Sequence, residues 1–297
     1  MPHFLNLDPA SVRDPRAPYA VLPIPYEKTV SFGRGTARAP QAILKASQDI
    51  ELFDEELRLT PGLRVQTLPT VNCRGSHQQQ TLEAIRRAAQ AVMSQRRFLM
   101  ALGGEHTISA PLVEAARTVW PGLAVLHLDA HLDLRDQFRG QRLSHACVMR
   151  RIMDLQVPIV HVGIRSLCEE EDQLIRARGS HVFWAADIIA KKNNAWMSAV
   201  IAKLAPQVYI SIDADVLDPA IMPGTGTPEP GGLAWATACA LLRRVCAARE
   251  VVAADLVEVA PMPGTPLSEY TAARLATKLL TYHATQTVKR PAARRRR

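Results

Sequence analysis

No stretch of this 297-residue chain reaches the roughly 18 uncharged apolar residues that a membrane span requires. The first residues, Met1-Pro2-His3-Phe4, lack the basic and then apolar pattern of a secretory signal. Cysteine is scarce and unpatterned: Cys73, Cys147, Cys168, Cys239 and Cys246 are odd in number and contain no CxxC pair. A disulfide framework is therefore not expected, and a reducing cytoplasm is. Repeats, low-complexity segments and linkers are missing too, apart from a basic tail. Of the net charge of +8, Lys289, Arg290 and Arg294 to Arg297 supply six, leaving +2 for the rest. Such a tail can touch nucleic acid or acidic surfaces. A solvated, disordered end is the plainer reading, so neither a nucleic-acid nor a membrane partner is expected.

What is present is a large apolar fraction, 47% of residues, enough for one single-core α/β domain. Residues 1–16 read as an irregular lead-in, 17–285 as one domain and 286–297 as the tail. Short apolar runs predict strands at Tyr19 to Ile24, Val65 to Leu68, Phe98 to Leu102, Val125 to Leu128, Ile159 to Ile164, Val182 to Trp184, Val208 to Ile212 and Val251 to Val257. Helical spacing falls between them, at 40–47, 80–96, 106–120, 142–155, 169–178, 196–204, 233–247 and 268–282. Gly179 reads as a helix stop and Ser268 as an N-cap. Alternating strands and helices imply a mostly parallel sheet covered on both faces. Ligands in such sheets sit beyond the carboxyl ends of the strands.

Three strand ends carry the chemistry: Gly103-Gly104-Glu105-His106, Asp129-Ala130-His131-Leu132-Asp133, and Ser211-Ile212-Asp213-Ala214-Asp215. Asp213 and Asp215, at i and i+2 on an extended segment, point the same way. Two carboxylates at the end of an apolar strand repel each other and are desolvated. No Arg or Lys stands within several positions, so a metal ion is the natural counter-charge. Each piece alone has a plainer explanation: a capped turn, a tight strand-to-helix turn, or a Ca²⁺ loop, although Asp213 to Pro219 lacks the Gly and distal Glu of an EF-hand. Together they offer two imidazoles and four carboxylates without a thiolate, which suits a pair of Mn²⁺-type ions, with a carboxylate from each of two strands able to bridge them.

These motifs resemble the ureohydrolases, the family of arginase and agmatinase. The family patterns GGxH, DAHxD and SxDxDxxDPxxxPGTGTPxPGG are matched at 103–106, 129–133 and 211–232, and D-x-V-E-V at 255–259. Leu22-Pro23-Ile24-Pro25-Tyr26 and Ser47 to Leu57 resemble the agmatinase branch, and the likeness spans about residues 17–285. The resemblance implies a three-layer α/β/α sandwich, an arginase-like α/β fold, with two Mn²⁺ per chain and a homotrimer or homohexamer. By position, His106 and Asp133 would complete one ion and His131 and Asp215 the other, with Asp129 and Asp213 as bridges. The ions would make a hydroxide available near neutral pH to attack the guanidinium carbon. Glu258 would pair with the guanidinium, and His145 matches the family's mobile proton-transfer histidine.

Further substrate contacts are expected from Asp136, as partner for an amine, and from Arg165, which follows a strand and could line the pocket or pair structurally. Arg139 or Arg142 could instead meet a carboxylate. His127 and His161 read as packed core histidines. The chain departs from the family at Ala260, where many members have Asn, and at Asp136 to Ser144, which lacks the Asn-Leu-His-Gly of arginases. The expected reaction is hydrolysis of a guanidino compound to urea and an amine. Agmatine to putrescine, a step of polyamine biosynthesis, comes first; aminopropylagmatine, guanidinobutyrate and guanidine are alternatives. A binuclear metallophosphatase would want an extra Asn ligand and a GNH-type motif, and neither is found. A non-catalytic scaffold would be marked by a lost ligand, yet all six are present with His145 and Glu258.

Overall fold

The computed structural model describes residues 2–75, 77–191 and 193–289. Its strands are β1 (Tyr19–Ile24), β2 (Val65–Thr67), β3 (Phe98–Gly103), β4 (Ala124–Leu128), β5 (Ile159–Ile164), β6 (His181–Trp184), β7 (Gln207–Asp213) and β8 (Glu250–Val257). They form one eight-stranded sheet in the order β2-β1-β3-β8-β7-β4-β5-β6, and every neighbouring pair is parallel. The helices are α1 (Pro9–Arg13), α2 (Ala39–Ala46), α3 (Gln78–Met93), α4 (Ser109–Val119), α5 (Val148–Asp154), α6 (Glu169–Arg178), α7 (Ala185–Ala190), α8 (Ala195–Lys203), α9 (Trp235–Ala248) and α10 (Leu267–Lys289).

The strands read as continuous apolar runs because both faces are covered. Val21, Met100, Leu126 and Ile210 pack on one side with Ile43 of α2, Val200 of α8, Leu242 of α9 and Leu279 of α10. Their chain neighbours Leu22, Leu99, Val125 and Tyr209 pack on the other with Ile85 of α3, Leu112 of α4 and Ile152 of α5. The period of two sends successive side chains to opposite faces, and the result is the expected three-layer α/β/α sandwich. Close approach at one edge needs a glycine: a Cβ on Gly104 would lie 2.0 Å from the Tyr26 carbonyl oxygen.

Several local expectations need correction. The lead-in contains the short α1. The helix expected over 142–155 starts only at His145, as a 3₁₀ turn that runs into α5. Residues before it leave a two-residue hairpin in which Phe138 and Gln141 exchange backbone hydrogen bonds at 2.9 Å. Arg139 and Gly140 both have positive φ there, the geometry that such a turn demands. Ser268 is not an N-cap, because α10 already begins at Leu267; its hydroxyl accepts the Gly224 N–H at 2.8 Å, and Thr265 serves the helix start, accepting from Leu267 N. Helix α10 continues past Tyr282 to Lys289, and residues 290–297 of the basic tail lie outside the described residues. No helix among the described residues is long and apolar enough to cross a membrane.

Candidate active site

The carboxyl ends of four adjacent central strands converge. β3 leads into Glu105 and His106, β4 into Asp129, His131 and Asp133, β7 into Asp213 and Asp215, and β8 into Glu258. His106 Nδ1 lies 3.2 Å from Asp129 Oδ2, 3.2 Å from Asp133 Oδ2 and 3.3 Å from Asp213 Oδ2. His131 Nδ1 lies 3.0 Å from Asp215 Oδ2 and 3.5 Å from Asp129 Oδ1. Asp129 thus turns one oxygen toward each imidazole, as a bridging carboxylate must. Backbone donors hold these carboxylates: Asp215 N donates to Asp213 Oδ1 at 2.9 Å, Ala130 N to Asp215 Oδ1 at 3.1 Å and His131 N to Asp129 Oδ1 at 2.6 Å.

The tautomer of His106 tests whether this cluster suits a cation. Ser211 Oγ donates to Asp255 Oδ1 at 2.8 Å and lies 2.9 Å from His106 Nε2, so that Nε2 carries the hydrogen. Nδ1 is then a bare lone pair aimed at three carboxylate oxygens, and it makes no hydrogen bond. A lone pair facing acceptors is repulsive unless positive charge stands between them. The electrostatics agree. The facing carboxylates call for positive charge at this point, from an ion or, failing that, from a proton: burial opposes charge on His106 and His131, yet the carboxylates overcome it, holding His106 well above its ordinary value and pushing His131 up to about 12. Burial, then the neighbouring carboxylates, raises Asp213 and Asp215. Imidazoles with carboxylates form a donor set for Mn²⁺-type ions, so the residues fit the implied metal.

A cleft of about 190 Å³ opens onto this cluster, lined among others by His131, Asp133, Asp213, His145 and Glu258. Glu258 is strained at φ 61°, with its N–H on the Gly104 carbonyl at 2.8 Å and Oε1 accepting from His106 N at 2.7 Å. Burial, then repulsion from Glu105, raises its pKa well above the usual range, so a cation arriving in the cleft meets a carboxyl short of counter-charge. The loop after β7 is pinned beside it: Ala260 N donates to the Gly224 oxygen at 2.7 Å, so that pairing is kept with Ala at this position. His145 Nδ1 lies 3.2 Å from Thr29 Oγ1, which leaves Nε2 for the cleft. Thr29 is held in turn by Glu105, whose carboxylate accepts from Thr29 N and Oγ1, both at 2.6 Å, and from Lys28 N.

The sequence profile of the arginase family matches residues 17–282. The chain belongs to the arginase family. It is 38% identical over 274 residues to the N(1)-aminopropylagmatine ureohydrolase of Synechocystis sp., covering 90% of this chain and 89% of that one. It is 35% identical to the agmatinase of Bacillus cereus over 250 residues, 80% of this chain and 82% of that one. Proclavaminate amidino hydrolase from Streptomyces clavuligerus superposes with a TM-score of 0.86 at 26% identity, over 96% of this chain and 98% of that one. This member of the arginase family is thus a ureohydrolase of the agmatinase branch, an enzyme that hydrolyses amidines.

Two residues expected at the substrate lie elsewhere. Asp136 is outside the cleft lining, because Arg151 at 2.7 Å and Arg142 at 3.1 Å hold its carboxylate. The Arg165 guanidinium is taken up by backbone carbonyls of Gly163, Asp215, Glu229 and Pro230; it props the Asp215 loop. Arg142 also stands away from the cleft, and Arg139 reaches the Ser31 oxygen at 3.3 Å. Asp218 caps its own loop, accepting from Ala220, Gly231 and Gly232. Conversely, the site also draws on Thr29, Phe32, Arg135, Phe138, Ser211 and the carboxylate of Asp255, to which the sequence reading assigns no role. Ser211 and Asp255 were visible inside family motifs, as was Glu105; the others carry no local signal.

Proposed function

We propose that this ureohydrolase holds two Mn²⁺ ions and splits N1-aminopropylagmatine or agmatine to urea and an amine, in the cytoplasm and as a trimer or hexamer. The observation that carries the metal reading is the His106 lone pair set among three carboxylates. His106, Asp129, Asp133 and Asp213 would hold one ion, and His131, Asp215, Asp129 and Asp213 the other. Bound ions lower the pKa of water and so supply a nucleophile near neutral pH.

The chain's own groups do the rest. Glu258 receives the planar guanidinium, and its carboxylate can accept two parallel N–H donors. It thereby fixes the carbon over the cluster. His145 lines the same cleft, held through Thr29 by Glu105. When the C–N bond breaks, the leaving amine needs a proton, and the imidazolium of His145 can give it from Nε2. Phe32, Phe138 and Leu167 line the outer cleft and suit the methylenes of a polyamine.

Sequence motifs alone favour agmatine. Likeness to an aminopropylagmatine ureohydrolase over 90% of the chain supports the longer amine as the first candidate. Urea release from aminopropylagmatine, agmatine, guanidinobutyrate, arginine and guanidine decides between them. We expect kcat/KM to be highest for aminopropylagmatine, and at least ~100-fold lower for arginine, whose carboxylate adds a desolvation cost that the amine substrates do not carry. Comparable turnover of arginine would overturn the substrate while leaving the chemistry intact.

A further inference from the structure

His161, His127, Ser211 and Asp255 stand side by side in register across β5, β4, β7 and β8. All four are fully buried. Polar groups in the middle of apolar strands are costly unless they are hydrogen-bonded. The Ser211–Asp255 half of the row already has a task, since it sets the tautomer of His106. The His161–His127 half has none in the reaction described so far. Yet His127 Nε2 lies 2.7 Å from Asp129 Oδ2, and His127 Nδ1 lies 2.9 Å from His161 Nδ1.

The hydrogens on this pair follow from the acceptor at its end. An ionised Asp129 can only accept, so His127 Nε2 carries a hydrogen. Of the two facing Nδ1 atoms one must donate. With His127 neutral, its Nδ1 is bare and the donor is His161. That leaves His161 Nε2 as a buried lone pair with no partner, and this atom is found unpartnered. The reverse assignment would require a buried imidazolium and an orphaned N–H together.

We propose that His161 and His127 are a positioning pair for Asp129. His161 fixes the tautomer and ring angle of His127, and His127 fixes Asp129 Oδ2 so that the carboxylate can divide its two oxygens between His106 and His131. The role is one of orientation, of the kind by which hydrogen bonds behind a metal ligand tune its affinity. It rests on the reading of Asp129 as a shared metal ligand.

The test titrates Mn²⁺ into metal-stripped protein by calorimetry, with melting of the stripped protein and kcat at saturating Mn²⁺ measured alongside. H161L removes the donor to His127, whereas H161N keeps an N–H near the same place. H127F removes the donor to Asp129, whereas H127Q keeps it. H161L and H127F should still bind two ions, but the weaker ion about 10–100-fold less tightly, with kcat largely restored by excess Mn²⁺. H161N and H127Q should recover most of the lost affinity. If H161L does not fold, the His127 variants carry the comparison. Unchanged affinity in H161L and H127F beside a lowered melting temperature would reduce the pair to core packing and overturn the proposal. So would H161N binding as weakly as H161L, or H127Q losing one ion outright, which would make His127 a ligand. Wild-type protein that binds no Mn²⁺ would instead bring down the metal reading first, a result distinct from any of these.

Discussion

Two groups of acids in this chain solve the same electrostatic problem in opposite ways. Around Lys278 the solution is internal. The ammonium lies 3.0 Å from Asp54, 2.7 Å from Glu55 and 3.4 Å from Glu56, and Arg274 adds a further cation on Glu55 at 3.1 Å. Lys278 is only 2% exposed, and its contacts fasten the irregular segment 51–59 to α10. At the sheet's carboxyl edge, Asp129, Asp133, Asp213 and Asp215 have no Lys or Arg partner among the described residues. Arg165 is near, but its donors are spent on carbonyls. A group of carboxylates that carries its own cation is a staple. One that is built without a cation, yet held rigid by backbone donors, is made to receive one.

The largest expected effect breaks the second group. Asp213→Asn removes one acceptor facing His106 and one proposed bridge. Metal content by elemental analysis should fall at both positions, and kcat/KM by ~10³-fold or more, on the order of 4 kcal/mol of transition-state stabilisation. A variant with full metal content and full turnover would erase the contrast between the two regions. Next comes His145→Ala, which leaves every proposed ligand in place. Here kcat should fall by roughly 10²–10⁴-fold while metal content and melting temperature stay near wild type. If stability drops instead, with turnover per folded molecule preserved, His145 belongs to the scaffold.

The staple predicts the converse pattern. Lys278→Met should cost about 2–3 kcal/mol in denaturant unfolding, less than the 3–5 kcal/mol of a wholly buried pair, because Glu55 and Glu56 reach water. Turnover per folded molecule should hold. The pH window has a definite sign. Burial opposes the charge on Lys278, but Glu55 and Asp54 outweigh it and raise the ammonium above its ordinary 10.5. Its contribution is therefore present below 10.5 and is lost as pH climbs through the raised value. Lys278 holds the Glu55 carboxyl below its ordinary 4.5, so that contribution is present above 4.5 and is lost as pH falls through the lowered value. Wild-type protein should lose this stabilisation at both extremes, and K278M should show a flatter profile.

Which parts of this contrast the sequence discloses has a physical basis. β1 and β5 read off to the residue, because strands buried on both faces are unbroken apolar runs. Helices α1 and α7, of five and six residues, are too short to show a period. The six ligand-type residues are legible because strand ends fix both their position and their direction. Asp136 and Arg165 sit in loops, where sequence gives a neighbourhood but not an orientation. The Glu105–Thr29–His145 chain joins residues 76 and 116 positions apart, and the stapling of Glu55 by Lys278 spans 223. Pairings at such separations leave no local pattern to find. His127 and His161 read as packed core from their strands, and both are buried; only the register of β4 on β5 shows them in contact.

The smallest expected effect is also the one that sharpens the border of the cleft. Asp136 lies one residue from Arg135, which lines the cleft, and two from Phe138, whose ring meets His145 edge-on at 5.8 Å. Proximity in sequence therefore argues for a role at the substrate amine. Its contacts argue otherwise. The Arg151 guanidinium beside it, with Arg142 further off, holds its carboxyl below the usual range, so at neutral pH it is ionised and already engaged on the outer side of the loop. Asp136→Asn should then change kcat/KM for agmatine and aminopropylagmatine by no more than about fivefold, the scale of exposed ion pairs. It should act equally on substrates with and without the distal amine. A residue that held that amine would behave differently, because its loss would fall on the amine substrates alone and approach ~100-fold. Steady-state kinetics on agmatine and guanidinobutyrate with D136N separate the two. A selective loss on agmatine would mean that the loop turns inward around bound substrate, releasing Asp136 from Arg151, and would move the boundary of the site outward by one side chain.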